Sequence, residues 1–134
     1  AFLKISYSPG KRMIVLRWSG YAAPSDYRRG LDFALEQVVK LNITYWLADL
    51  QKMAAILQPE EKWTNETWFP RLIHAAVLEK MAILPSSDFF NQMSVDRIMD
   101  HTVGARHFQV GYFQTEQESL QWLFDQKEEE VGVG

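Results

Sequence analysis

The segment ITYWLADLQKM, residues 43–53, is rich in β-branched and aromatic side chains up to Asp49 and becomes polar after it. Such a run predicts a buried central strand that ends on this acidic residue and passes into a polar turn. In open α/β sheets, ligands bind beside the carboxyl ends of the parallel strands. The segment therefore indicates both a fold class and a functional edge that begins at Asp49.

Short segments before this strand predict a hairpin and a helix. Residues 3–7 alternate apolar and polar side chains, and residues 13–18 form a second strand-like run after a turn. Residues 26–41 carry apolar side chains at helical spacing after Ser25, a good N-cap, and Asn42 is expected to end this helix. A strand, a helix and a buried strand in this order form a crossover unit, which favours parallel strands.

Helices and strands continue to alternate beyond this unit. A helical segment is predicted from Pro59 to Lys80, and Pro70 is expected to interrupt it because proline has no amide hydrogen to donate. Residues 81–84 read as a short buried strand. Ser86 or Ser87 is expected to cap the helix after it, which carries Phe90, Met93, Ile98 and Met99.

The last predicted elements are a strand and a capped helix. Phe108, Val110 and Tyr112 alternate with polar residues or glycine, and Thr115 with Glu118 forms a capping box before an apolar helical stripe. The complete order is ββαβααβαβα. This order predicts a single-domain α/β fold with a mixed, mostly parallel sheet of about five strands covered by helices.

The composition is that of one globular domain. The chain has 134 residues, and a chain of this length buries roughly two-thirds of its unfolded surface, so it needs no covalent cross-links. It contains no cysteine, which excludes a disulfide scaffold, a thiolate zinc site and a cysteine nucleophile. Residues 1–126 are predicted to form the domain, and residues 127–134 an acidic, frayed tail.

Several functional classes are disfavoured by charge and by missing motifs. The formal net charge of −3 weighs against a nucleic-acid binder, which needs a basic face. No apolar run reaches the length of a membrane span, and the start of the chain has no signal-peptide pattern. The three histidines show no metal-ligand spacing, and no phosphate-binding glycine loop or nucleophile motif occurs. We therefore expect a cytoplasmic protein that is not an enzyme and uses no cofactor or metal.

Five short motifs are carried by the chain in a characteristic order. They are YRRGL at 27–31, WLADLQKM at 46–53, PEEKW at 59–63, YF at 112–113 and LQWL at 120–123. Across residues 2–124, their order and spacing resemble the STAS-domain, SpoIIAA-like family, which is related to anti-sigma-factor antagonists. The resemblance is to its bacterial branch with STAS and SEC14-like domains.

The resemblance implies an open α/β sheet in which the loop after the Asp49 strand is the functional edge. In signalling members, a serine or threonine at the start of the next helix is phosphorylated by a partner kinase, and the added charge switches docking on an anti-sigma factor. Here residues 56–59 are Ile, Leu, Gln and Pro, so no acceptor residue is assigned. The nearest hydroxyls, Thr64 and Thr67, are interpreted as helix-end or surface residues.

The predicted binding residues lie at this edge and just beyond it. They are Asp49, Gln51, Met53, Ile56, Trp63, Trp68 and Phe69. Each aromatic residue alone is more often part of a core, but together with Met53 and Ile56 they could form an apolar patch of the kind that marks an interface or a ligand groove. Asp49 has no paired base or metal ligand nearby, so its simplest role is to accept hydrogen bonds from the following turn.

Two functions follow from these predictions. The first is a non-enzymatic STAS-like binding or regulatory module that acts through protein contacts, as a homodimer or with a protein partner, without the usual phosphorylatable serine. The alternative is a carrier of a small apolar ligand or lipid, as in SEC14-like domains, and it requires an enclosed apolar pocket between the sheet and residues 56–73. A hydrolase that uses Asp49 with a histidine is a weaker third hypothesis.

Overall fold

A computed structural model describes residues 2–125, and these form an α/β fold around one five-stranded sheet with the order β1-β2-β3-β4-β5. The strands are β1 (Leu3–Ser8), β2 (Met13–Gly20), β3 (Tyr45–Met53), β4 (Lys80–Leu84) and β5 (Gln109–Tyr112). β1 is antiparallel to β2, and every later neighbour is parallel. The predicted fold class is confirmed. The acidic tail predicted at residues 127–134 lies outside the described residues.

Helices follow every strand from β2 onward. They are α1 (Pro24–Lys40), α2 (Gln58–Trp63), α3 (Phe69–Ala75), α4 (Phe89–Thr102) and α5 (Glu116–Leu123), and a π-helical turn (Thr64–Trp68) joins α2 to α3. A 3₁₀ turn (Pro9–Lys11) joins β1 to β2. Side chains of α1, α3 and α4 share one buried cluster on one face of the sheet, whereas α5 packs on the opposite face. The sheet is therefore covered on both faces.

Both faces of β3 are buried, which explains its nearly continuous apolar run. Trp46 and Ala48 point into the helical layer, and Leu47 points toward α5. The prediction that the strand ends at Asp49 is wrong, because β3 continues to Met53. Between Asp49 and Lys52, β3 has one residue more than the facing part of β2, which is a β-bulge. The extra residue reverses the alternation, so that Met53 joins the core of the helical layer.

Several helix boundaries differ from the predictions. The helical segment predicted to reach Lys80 ends at Ala75, and Lys80 begins β4. α1 begins at Pro24 with Ala23 as its N-cap, so Ser25 lies inside the helix and does not cap it. Pro70 does not separate two helices, since α2, the π-helical turn and α3 follow one another without a gap. The irregularity in this segment is the π-helical turn, which ends two residues before Pro70. Asn42 has the left-handed φ of 52° that ends a helix, as predicted.

Candidate functional site

A cavity of about 70 Å³ lies between the helical layer and the sheet, and we call it the central cavity. Side chains from β2, β3, β4, α1, the π-helical turn, α3 and α4 form its wall. Four predicted binding residues meet there, namely Met53, Ile56, Trp68 and Phe69. The segment that follows β3 therefore does line an apolar space, and that space is inside the domain.

The predicted apolar surface patch is not present. Met53, Trp68 and Phe69 are buried in the core, and Ile56 and Trp63 are partly buried against it. The interpretation of each aromatic residue as core is confirmed for Trp68 and Phe69. Because Met53 of β3, Trp68 of the π-helical turn and Phe69 of α3 all pack into the core, they do not form a surface on which a partner could bind.

The tryptophan of the π-helical turn forms a fixed part of the wall. Trp68 Nε1 donates a hydrogen bond of 2.8 Å to the Leu31 carbonyl oxygen on α1. Its ring packs edge-on against Trp46, with centroids 5.7 Å apart, and against Phe69 at 4.9 Å. π-helical turns are rare and occur frequently at functional sites. This turn presents both of its end residues, Thr64 and Trp68, to the cavity.

Two hydroxyl groups in the cavity wall satisfy each other. Tyr27 Oη and Thr64 Oγ1 lie 2.7 Å apart, and Thr64 Oγ1 donates to the Glu60 carbonyl oxygen at 2.7 Å. Because the single hydroxyl proton of Thr64 is used in that bond, Tyr27 donates to Thr64. Burial raises the pKa of Tyr27 well above its ordinary value, so the phenol stays neutral. Thr64 is a helix-end residue, as predicted, since it is the C-cap of α2, but it is buried and does not lie on the surface.

A buried ion pair lies beside the central cavity. The Glu60 side chain is 6% exposed, and one carboxylate oxygen accepts a 2.6 Å hydrogen bond from Arg28 Nε. The Arg28 guanidinium also lies over the Trp63 ring, 5.3 Å from its centroid. Glu60 lines a void of about 10 Å³ that shares Tyr27 with the central cavity. The sequence indicated the helix-start position of Glu60, but nothing in it signalled the burial.

Asp49 and Gln51 do not belong to the cavity. Asp49 Oδ2 accepts from Arg17 Nη1 at 2.9 Å, and Arg17 Nη2 donates to Glu116 of α5 at 2.6 Å. Asp49 Oδ1 accepts from the backbone amide of Gln51 at 3.1 Å, as predicted, although the two residues lie within the strand and not in a turn. Gln51 is exposed. Asp49 thus links β2, β3 and α5 electrostatically.

Replacement of Asp49 tests this structural role. We expect Asp49→Ala to lower the free energy of unfolding by about 1–2 kcal/mol, because Arg17 loses a carboxylate and the Gln51 amide loses its acceptor. Urea denaturation followed by tryptophan fluorescence measures the change, with Glu36→Ala, an exposed carboxylate on α1, as control. A variant as stable as the wild type would contradict the structural role.

An aromatic pair at the start of α4 was missed in the sequence. Phe89 and Phe90 are 66% and 69% exposed, with ring centroids 5.8 Å apart, and Met93 is exposed one turn later. We call these three residues the α4 patch. Of the four apolar residues that the sequence analysis named for this helix, Ile98 and Met99 are buried, whereas Phe90 and Met93 are exposed. The patch lies directly after the loop that follows β4, at the carboxyl edge of the sheet.

The described part of the chain shows few other candidate sites. Among residues 2–125, no three histidine, aspartate or glutamate side chains are grouped so that they could hold a metal ion. His74, His101 and His107 are all exposed and lie on separate parts of the fold. In the same range, no helix has the length and apolar character needed to cross a bilayer.

Comparisons with known proteins add no assignment to this geometry. The chain matches no protein-family model, no curated protein and no solved structure. The resemblance to SpoIIAA-like STAS domains therefore stays a prediction from the quoted motifs, and the functional argument depends on the central cavity and the α4 patch.

Proposed function

We propose that this protein binds a small apolar molecule, or the end of an apolar chain, in the central cavity. The observation that supports the proposal is the chemistry of the wall. Apart from Tyr27 and Thr64, whose hydroxyls are paired, and the indole nitrogens, the described lining side chains are aliphatic, aromatic or thioether groups. An empty cavity lined in this way stays dry and takes up apolar ligands. The location, between the sheet and the helical segment after β3, is the one that the SEC14-like alternative requires.

The volume of the central cavity limits the size of the ligand. Its volume of about 70 Å³ is roughly half that of an engineered cavity of about 150 Å³ that binds benzene. A whole lipid does not fit this volume. Three methionines, Met53, Met81 and Met99, line the cavity, and methionine side chains rearrange more easily than branched ones. We therefore expect a ligand of benzene size to be accommodated when these side chains change rotamer.

Filling the cavity tests the proposal. Ala48 of β3 lines the cavity, so a larger side chain at this position occupies the ligand volume. We expect benzene to quench or shift the fluorescence of Trp18, Trp46 and Trp68, which all line the cavity, and Ala48→Leu to weaken benzene binding at least tenfold. Native mass spectrometry of the purified protein is expected to show a copurified apolar ligand in the wild type and less of it in the variant.

The matched control is Ala105→Leu, which adds the same atoms at an exposed position. Equal benzene affinity of Ala48→Leu and the wild type would place the binding site elsewhere. A wild type that binds neither benzene nor a copurified apolar molecule would contradict the proposed function.

A second candidate is the non-enzymatic regulatory module that acts through protein contacts as a homodimer. The α4 patch supports it, because large exposed aromatic side chains are enriched at protein interfaces. In a two-fold symmetric dimer the same surface is used by both subunits, so it must be complementary to itself. An uncharged aromatic patch meets this condition. The partner proposed for it is therefore a second copy of this chain.

Size-exclusion chromatography with light scattering tests the dimer. We expect the wild type to dimerise and the double variant Phe89→Ser/Phe90→Ser to raise the dissociation constant at least tenfold, because the apolar area that the dimer would bury is removed. Phe33→Ser, which changes another exposed phenylalanine on α1, is the control and is expected to leave the dimer intact. A wild type that stays monomeric at high concentration would exclude this second function.

A further inference from the structure

A second cavity adjoins the central cavity at the carboxyl edge of the sheet. Its volume is about 90 Å³, and it lies between the ends of β4 and β5 and the first turns of α4; we call it the edge cavity. Leu50, Ile83 and Val95 line both cavities. These three side chains therefore separate an apolar space from a second space whose wall is partly polar.

Asn91 gives the edge cavity an unused acceptor. Asn91 belongs to the wall of the cavity and is completely buried, and its Nδ2 donates to the Ala54 carbonyl oxygen at 2.8 Å. This bond fixes the orientation of the amide. If the amide were rotated by about 180°, Oδ1 would face the Ala54 carbonyl oxygen and no hydrogen bond could form. Oδ1 then has no partner among the described residues. A buried acceptor without a partner costs free energy, so the site favours a molecule that donates a hydrogen bond to it.

The other polar groups of the edge cavity also favour a donor. Asp96 contributes a carboxylate, and Tyr112 lines the same cavity. Burial and the charges of Asp96 and Asp100 raise the pKa of Tyr112 to about 12, so the phenol keeps its proton. The side-chain amide of Gln92 already donates to the Ser86 carbonyl oxygen. Among the described residues, the wall of the edge cavity therefore carries the negative charge of Asp96 and no basic side chain.

The nearest cation does not change this preference. Arg106 lies close enough to Tyr112 to lower its pKa slightly, but it does not line the edge cavity. Its Nη1 donates to the Met99 carbonyl oxygen at 2.9 Å and to Thr102 Oγ1 at 2.7 Å. A carboxylate or phosphate group would therefore meet Asp96 in the edge cavity without a basic side chain that lines it.

We infer that the ligand is amphipathic, with an apolar part in the central cavity and a hydroxyl or amino group in the edge cavity. This inference rests on the proposed apolar-ligand function and specifies the ligand class. Fatty acids and other molecules with an anionic end are disfavoured, whereas alcohols and amines with a short apolar chain fit the acceptors. The side chains of Leu50, Ile83 and Val95 must move aside for one molecule to occupy both spaces.

Calorimetry and NMR titration of the full chain test the ligand class with four probes: 1-hexanol, hexylamine, hexanoate and benzene. We expect 1-hexanol and hexylamine to bind at least tenfold more tightly than hexanoate at pH 7. In ¹⁵N-labelled protein, 1-hexanol is expected to shift the side-chain amide signals of Asn91, and benzene is expected to leave them in place. Asn91→Leu, which keeps a similar volume without an acceptor, is expected to weaken 1-hexanol binding about tenfold and benzene binding not at all.

The outcomes separate this inference from the proposed function. If benzene binds, but hexanoate equals 1-hexanol or the Asn91 amide signals stay in place with 1-hexanol, the edge cavity holds water only and the inference is overturned, while the apolar-ligand function stands. If no probe binds, the proposed function and the inference both fail. Should Asn91→Leu not fold, the probe ranking and the Asn91 signals of the wild type decide the question without it.

Discussion

Trp68→Ala is expected to lower the free energy of unfolding by about 3–5 kcal/mol, as truncation of large buried aromatic residues does. Trp68 is 2% exposed and packs edge-on against Trp46 and Phe69, so the truncation removes buried apolar contacts and leaves a larger cavity. It also leaves the Leu31 carbonyl oxygen without the indole donor. Chemical denaturation measures the loss, and where the variant folds, we expect tighter benzene binding because the central cavity becomes larger.

Two matched variants separate the contribution of the indole hydrogen bond from that of the buried ring. Trp68→Phe keeps a large ring and removes the indole N–H, so we expect a loss of about 1–2 kcal/mol. Trp63→Ala removes a tryptophan that is partly exposed, and we expect less than half the effect of Trp68→Ala. If Trp63→Ala destabilised the protein as much as Trp68→Ala, the placement of Trp68 at the centre of the core would be wrong.

Arg28→Ala is expected to lower the free energy of unfolding by about 2–3 kcal/mol. The cost arises from Glu60, because removal of the guanidinium leaves a carboxylate that is 6% exposed without its cation. The Arg28 side chain is itself 42% exposed, so the loss is smaller than for a fully buried ion pair. Loss of the contact between the guanidinium and the Trp63 ring adds a minor part.

The double variant Arg28→Ala/Glu60→Gln identifies the source of this cost. A glutamine at position 60 carries no charge, so we expect the double variant to be more stable than Arg28→Ala by about 1–2 kcal/mol. Arg29→Ala is the control, since Arg29 is exposed and pairs with Asp26 of its own helix, and we expect a change of less than about 0.5 kcal/mol. A double variant no more stable than Arg28→Ala would show that the buried charge does not cause the loss. All three variants are measured by urea denaturation.

The parts of the fold that depend on near neighbours in the chain were predictable. The apolar run before Asp49 predicted a strand buried on both faces, and β3 has helices on both sides. Thr115 was predicted to cap the last helix, and its Oγ1 accepts the Glu118 amide at 3.2 Å. In both cases the sequence pattern and the structure that it predicts lie within a few residues of each other. The spacing of side chains along the chain is therefore sufficient for the prediction.

The positions of the candidate site residues were less predictable. One extra residue in β3 turns Met53 into the helical layer while Asp49 faces α5, and no sequence pattern marks this bulge. The sequence also does not distinguish Phe90 and Met93, which are exposed, from Ile98 and Met99 of the same helix, which are buried. Which face a side chain takes, and whether it is buried, depends here on how the elements pack together and not on the hydrophobicity of each residue.

The sequence alone determined the order and type of the elements and the apolar character of the segment after β3, because periodicity and composition act locally. The tertiary structure decided that this segment lines a cavity and does not form an outer patch. It also decided which polar groups meet: Tyr27 bonds Thr64 across 37 positions, and Asn91 bonds Ala54 across 37 positions. A cavity and an unpartnered acceptor arise only when residues that are distant in the sequence pack together. They are therefore properties of the folded chain and cannot be found in the sequence.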